Sequence, residues 1–114
     1  MLTLREIHQG IEANLNALEE LVSEVQDAGN QAAVAENAYR VSYAKARLSI
    51  RALSQEKLTV EQVEAEATVA TEKEHLAFLI AQNKLTTVRE ALRATQSKLD
   101  AYRSLGASFR GAGG

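Results

Sequence analysis

From Leu4 onward, apolar residues return every three or four positions: Leu4, Ile7, Ile11, Leu15, Leu18, Val22 and Val25. This is the spacing of one face of an α-helix. The same phase continues through Gly29, Ala32, Glu36, Tyr39, Tyr43, Ala46, Ile50 and Leu53. Thr3 followed by Glu6 is the pattern of a capping box, in which each side chain satisfies the other residue's backbone N–H. The pattern predicts a first helix over about 4–53. Gly29 is the place to break it, since glycine costs about 1 kcal/mol relative to alanine inside a helix. The unbroken phase beyond it argues for one long helix, with Gly29 a weak point or a close-packing site. The alternative is two helices with a break at 28–30.

The stretch "SQEKLT" at 54–59 interrupts the pattern, and Thr59 with Gln62 repeats the capping box. A second helix is predicted over about 60–105. Its apolar positions are Val60, Val63, Ala67, Ala70, Leu76, Leu79, Leu85, Val88, Leu92, Leu99 and Tyr102. Gly106 is the expected C-terminal cap, and the Gly-rich residues 106–114 are expected to be a flexible tail. So short a connection makes the helices antiparallel neighbours. The fold class expected is therefore all-α: a long, coiled-coil-like antiparallel two-helix hairpin. The segment "HLAFLIA" changes this picture. Leu76, Phe78, Leu79 and Ile80 cannot all face one partner helix, and a helix apolar on several sides is buried on several sides. A homo-oligomer built through these four residues is expected; the alternative is a docking site for a different protein.

Composition agrees with helices and removes several kinds of chemistry. Proline, tryptophan and cysteine are absent, so disulfides and thiolate metal sites are excluded. His8 and His75 stand alone, without ligand spacing. No glycine-rich phosphate loop and no nucleophile–base pair is recognisable. No catalytic residue, metal or cofactor is expected, and the protein is not read as an enzyme. The first residues lack the pattern of a signal peptide, and no apolar run approaches the roughly 20 residues of a membrane span. A soluble cytoplasmic protein without membrane contact is expected.

The formal net charge of −2 hides strong segregation. Residues 1–36 hold seven acids and one base, and 40–57 hold five bases and one acid. Residues 61–74 hold five acids and one base, and 84–110 hold six bases and two acids. An antiparallel hairpin sets opposite blocks side by side. That gives one explanation of the basic segment "YRVSYAKARLSIR" at 39–51: tyrosines face inward while arginines cover a neighbour's acids. The other explanation is a site for a single nucleic-acid strand. Arg40, Arg47 and Arg51 are seven and four residues apart, which places them on one helix face. Tyr43 lies between them and Lys45 further round. Cations that track phosphates beside a ring that stacks a base are the ingredients of single-strand binding. Arg103, Phe109 and Arg110 form a second basic and aromatic group.

Two passages, "AENAYRVSYAKARLSIRA" at 35–52 and "TTVREALRATQSKLDAYRSLGASFR" at 86–110, resemble small helical proteins of tailed phages. More remotely the arrangement is similar to the UvsY recombination-mediator family. The resemblance covers residues 35–110 and implies a small helical oligomer. It also implies binding of single-stranded DNA and loading of a recombinase onto strands coated with single-strand-binding protein. By position, that family's DNA contacts correspond to Arg40, Lys45, Arg47 and Arg51. This chain departs from the family in its slightly acidic charge, so DNA binding is expected from an oligomer that lines up several basic segments. The alternative is a structural or adaptor coiled coil, such as a phage scaffold or assembly chaperone, without nucleic-acid affinity.

Overall fold

The computed structural model describes residues 2–113. They form an all-α hairpin of three helices: α1 (Leu4–Leu53), α2 (Val60–Ala70) and α3 (Glu72–Gly113). Both predicted capping boxes are present. Thr3 N–H donates to Glu6 Oε2 at 2.9 Å and Glu6 N–H to Thr3 Oγ1 at 3.1 Å. Thr59 and Gln62 repeat the pair at 2.9 and 3.1 Å. Between α1 and α2, Ser54 Oγ donates to the Glu56 carbonyl at 2.7 Å, which tightens the connection.

The chain divides into two compact units. The terminal unit joins Met1–Asp27 to Thr86–Gly114. Its seam on α1 is Leu4, Ile7, Ile11, Asn14, Leu18, Leu21 and Val25. On α3 it is Val88, Leu92, Thr95, Leu99, Tyr102 and Gly106, and all of these are buried or half-buried. Steps of three and four alternate without a fault, which is the seven-residue repeat of a coiled-coil seam. The sequence pattern pointed instead to Leu15 and Val22, which are 42 and 47 % exposed. Asn14 and Leu21 hold those seam positions, and Asn14 Nδ2 is satisfied by the Gly10 carbonyl at 2.7 Å.

Two glycines matter here because of close approach. Tyr102 lies so near Gly10 that a Cβ on Gly10 would stand 2.5 Å from Cε1 and Cζ of the ring. Gly106 is buried, and its Cβ position is 3.6 Å from Ile7 Cγ2. Gly106 is therefore a seam residue and not a cap. α3 continues to Gly113, so the helix end expected near Leu105 and the flexible tail expected over 106–113 are both corrected. Gly114 lies outside the described residues.

The turn unit is Ala28–Leu85. Its seam on α1 is made of small residues and one ring: Ala28, Ala32, Ala35, Tyr39, Ser42 and Ala46. Facing them are Val63, Ala67, Thr71, Glu74, Phe78, Ala81 and Leu85. Gly29 sits in unbroken helix, so the break considered at 28–30 does not occur. Its Cβ position is 4.0 Å from Leu85 Cδ1, an ordinary contact distance. Tyr39 stacks on His75 at 4.6 Å between ring centroids and on Phe78 at 6.1 Å.

The single second helix expected from the sequence is two. At Thr71 the backbone leaves helical values, with φ −113° and ψ 18°. The inward positions 63, 67, 71 and 74 show the cause, since two consecutive steps of four insert four residues into the repeat, a stutter. Thr71 is 3 % exposed, and its Oγ1 donates to the Ala67 carbonyl at 2.7 Å. This back-bonding bends helices. The first arm of the hairpin matches the change with half-buried steps of four through Ala46 and Ile50 of α1 and Ser54 just after it.

Candidate nucleic-acid interface

Heptad letters, with a and d in the seam, place each side chain of the turn unit. On α1, Ala32, Tyr39 and Ala46 are a, while Ala28, Ala35 and Ser42 are d. Arg40 and Arg47 then fall at b and Arg51 at f, on one flank of the hairpin. Lys45 falls at g, on the other flank. The structure thus brings three of the four expected basic residues together and sets Lys45 apart.

Arg40 is 75 % exposed along its side chain and pairs with Glu36 one turn earlier. This i,i+4 pair stays within α1. Among the described residues no ion pair joins Arg47, Arg51 or Lys45 to Glu61, Glu64 or Glu66. The pairing of opposite blocks inferred from the sequence is therefore not realised as ion pairs. The reason is positional: the arginines occupy b and f, away from the seam, where Arg40 and Arg51 are exposed and Arg47 lies against Tyr43 on its own helix.

Arg47 is half-buried, with its guanidinium carbon 6.0 Å from the Tyr43 ring centroid. That is the outer edge of cation–π range. Its Nε is buried and has no hydrogen-bond partner, so the group holds an unused donor. A shallow groove of about 270 Å³ is lined by Ala44, Arg47, Leu48 and Arg51. Its apolar floor and cationic rim suit a phosphate beside an unstacked base. Tyr43 itself is half-buried, with Tyr39 6.2 Å away and tilted. Its ring is committed to Arg47 and to the seam, and it is not an open stacking platform. The floor residues Ala44 and Leu48 were missed in the sequence, although each stands three residues before an arginine, Arg47 or Arg51, and that spacing was readable.

The second group lies in the terminal unit. Arg103 and Arg110 are exposed and seven residues apart on α3, and Phe109 is 44 % exposed beside Arg110. Arg103 also borders a groove with Leu15, Leu18, Gln96, Leu99 and Asp100, so an acid stands next to it. The residues expected to form an oligomer do not share one surface. Phe78 is half-buried in the seam against Tyr39. Leu76, Leu79 and Ile80 are 56, 46 and 61 % exposed, at f, b and c.

No described helix is long and apolar enough to cross a membrane. In comparisons with known proteins, no family model, curated protein or solved structure matches the chain.

Proposed function

We propose that the protein binds single-stranded nucleic acid through the α1 flank of Arg40, Arg47 and Arg51, and that it acts as a homo-oligomer. The observation that supports this is the absence of acidic partners across the seam for Arg47 and Arg51 among the described residues. Cations left free at one flank, beside a groove with an apolar floor, are the elements of a phosphate-tracking surface. Each subunit supplies few contacts, so useful affinity comes from several subunits on one strand. The role of recombination mediator, with a recombinase and single-strand-binding protein as partners in a phage-infected cell, rests on the resemblance of residues 35–110.

Fluorescence anisotropy of a labelled single-stranded oligonucleotide tests the reading at low and moderate salt. The expected result is saturable binding that weakens steeply with salt. Arg47→Glu with Arg51→Glu should lower affinity at least tenfold at low salt and flatten the salt slope by about 1 to 2. Helicity by circular dichroism should be unchanged. A folded wild type that does not bind at low salt sinks the proposal, and so does a double variant that binds equally well.

The second reading is an adaptor or scaffold coiled coil. The exposed large apolar side chains of the turn unit favour it. Association of that kind is insensitive to salt, which separates the two.

A further inference from the structure

Seven-residue spacing occurs twice on α1 of the turn unit. One set forms the seam. The other is Val34, Val41 and Leu48, which are 71, 42 and 70 % exposed. With Ala38, Lys45 and Ala52 between and beyond them, they form a second line stepping by four and three, at positions c and g. α2 and α3 carry a matching line on the same side of the hairpin. Counted from buried Val63 and Ala67, Glu66 and Val69 fall at g and c. Counted from Phe78 and Ala81, Lys73 and Ile80 fall at c, and Ala77 and Lys84 at g. Val69 is 75 % and Ile80 61 % exposed. Lys84 Nζ donates to Gln31 Oε1 at 3.3 Å across the hairpin. Both residues are at g, so the g and c positions of α1 and of the returning chain share one side.

The register of the hairpin sets these two lines against each other. Gln31 stands beside Lys84 and Tyr39 beside His75, so Val41 is level with Glu74. On α1 the exposed residues are symmetric about Val41, with Val34 and Leu48 seven residues to either side. On α2 and α3, Val69 and Ile80 are symmetric about the same level, as are Glu66 and Lys84.

We infer that this side of the turn unit is a two-fold interface with a second copy of the chain, in which the two α1 helices cross antiparallel with Val41 on the axis. The arrangement pairs Val34 with the second copy's Leu48, Val69 with its Ile80, and Glu66 with its Lys84. Lys73 meets an alanine, as does Lys45, whose stem covers apolar surface while its head reaches water. A surface that complements itself about one axis is the mark of an isologous contact. Exposures of 42 to 75 % on these five large side chains amount to on the order of 500 Å² of apolar surface per copy. That is most of the roughly 800 Å² per partner of a stable interface. The heptad spacing of the line calls for a helix of the same period as its occupant, and a second copy supplies one. The interface gives a defined face to the self-association in the proposed function; it takes in Leu48, which also floors the Arg47–Arg51 groove, and leaves Arg40, Arg47 and Arg51 off its c and g lines on both copies. It does not depend on DNA binding.

The test is the mass of the full chain in solution by light scattering, without nucleic acid. Wild type is expected as a dimer or an even multiple of it. Val34→Glu with Ile80→Glu should halve the mass, while Leu79→Glu on the opposite flank should leave it unchanged. Glu66→Lys should weaken association, and adding Lys84→Glu should restore it. The chain has no cysteine, so a single Val41→Cys gives a clean probe: a short bis-maleimide should capture it as a covalent dimer and leave Ala44→Cys monomeric. A monomeric wild type, or an odd number of subunits, overturns the proposal. So does an unchanged mass in Val34→Glu/Ile80→Glu, or capture of Ala44→Cys in place of Val41→Cys. Failure of the DNA reading leaves all these results intact.

Discussion

The terminal and turn units are each an antiparallel helix pair, and they distribute their bulk in opposite ways. The terminal unit turns most of its large side chains inside: Leu4, Ile7, Ile11, Leu18, Leu21 and Val25 face Val88, Leu92, Leu99 and Tyr102, and Leu15, Val22, Leu105 and Phe109 are less than half exposed. The turn unit lines α1 with Ala28, Ala32, Ala35, Ser42 and Ala46, and leaves Val34, Leu48, Val69 and Ile80 more than 60 % exposed. Burial of apolar surface stabilises by roughly 25 cal/mol per Å², so the terminal unit obtains its stability within the chain. The turn unit leaves the surface of those four side chains in water. A pair of helices can thus be both a self-sufficient clasp and an incomplete bundle, depending on where the aliphatic residues sit around each helix.

The comparison can be broken most strongly at Ile7. It is 2 % exposed and packs against Gly106, where no side chain exists to refill a void. Ile7→Ala is expected to cost about 2–5 kcal/mol, with hydrogen exchange accelerated in residues 4–27 and 86–110. Acceleration centred on 60–85 would contradict the division into units.

A smaller effect separates the two internal glycines of α1. Gly10→Ala gains up to about 1 kcal/mol of helix propensity, yet its Cβ would push the Tyr102 ring aside at about 1–3 kcal/mol. Net destabilisation is expected by thermal denaturation, and it should change sign in a Tyr102→Ala background. Stabilisation by Gly10→Ala in the native background would show that the ring moves freely. Gly29→Ala meets only Leu85 at ordinary contact distance, and should stabilise by about 0.5–1 kcal/mol. A loss there would mean that the turn unit packs its glycine as tightly as the terminal unit does.

The helical fold, both capping boxes and the turn were legible because each has a local cause: periodicity, a paired side chain, a run without apolar phase. The exact seam was less so. Residues 14, 21 and 28 and residues 15, 22 and 29 form adjacent lines, and apolar Leu15 beside polar Asn14 drew the reading from the correct one, with Val22 following in phase. Thr71 was hidden because Ala70 and Thr71 are both small, so the apolar pattern does not show which faces inward. Gly106 looked like a cap because caps favour glycine, whereas here the glycine makes room for Ile7. For the candidate site, the common face of Arg40, Arg47 and Arg51 followed from spacing alone. The fate of the charge blocks did not, because a block describes a length of chain and an ion pair depends on position around the helix.

The residue at the break between α2 and α3 acts like an intercalary day. A strict count of seven runs ahead of a helix of 3.6 residues per turn by about 20° each heptad, and four added residues, one turn and about 40° more, take up the drift of two heptads. Thr71 closes that addition, and across it Val69 and Ile80, eleven residues apart, stay within about 20° of a common line. What this short stretch transmits is therefore its length. Glu72 and Lys73 could change identity with little consequence for their neighbours, but one residue more or fewer would turn the whole of α2 to show a different set of side chains to whatever lies beside it.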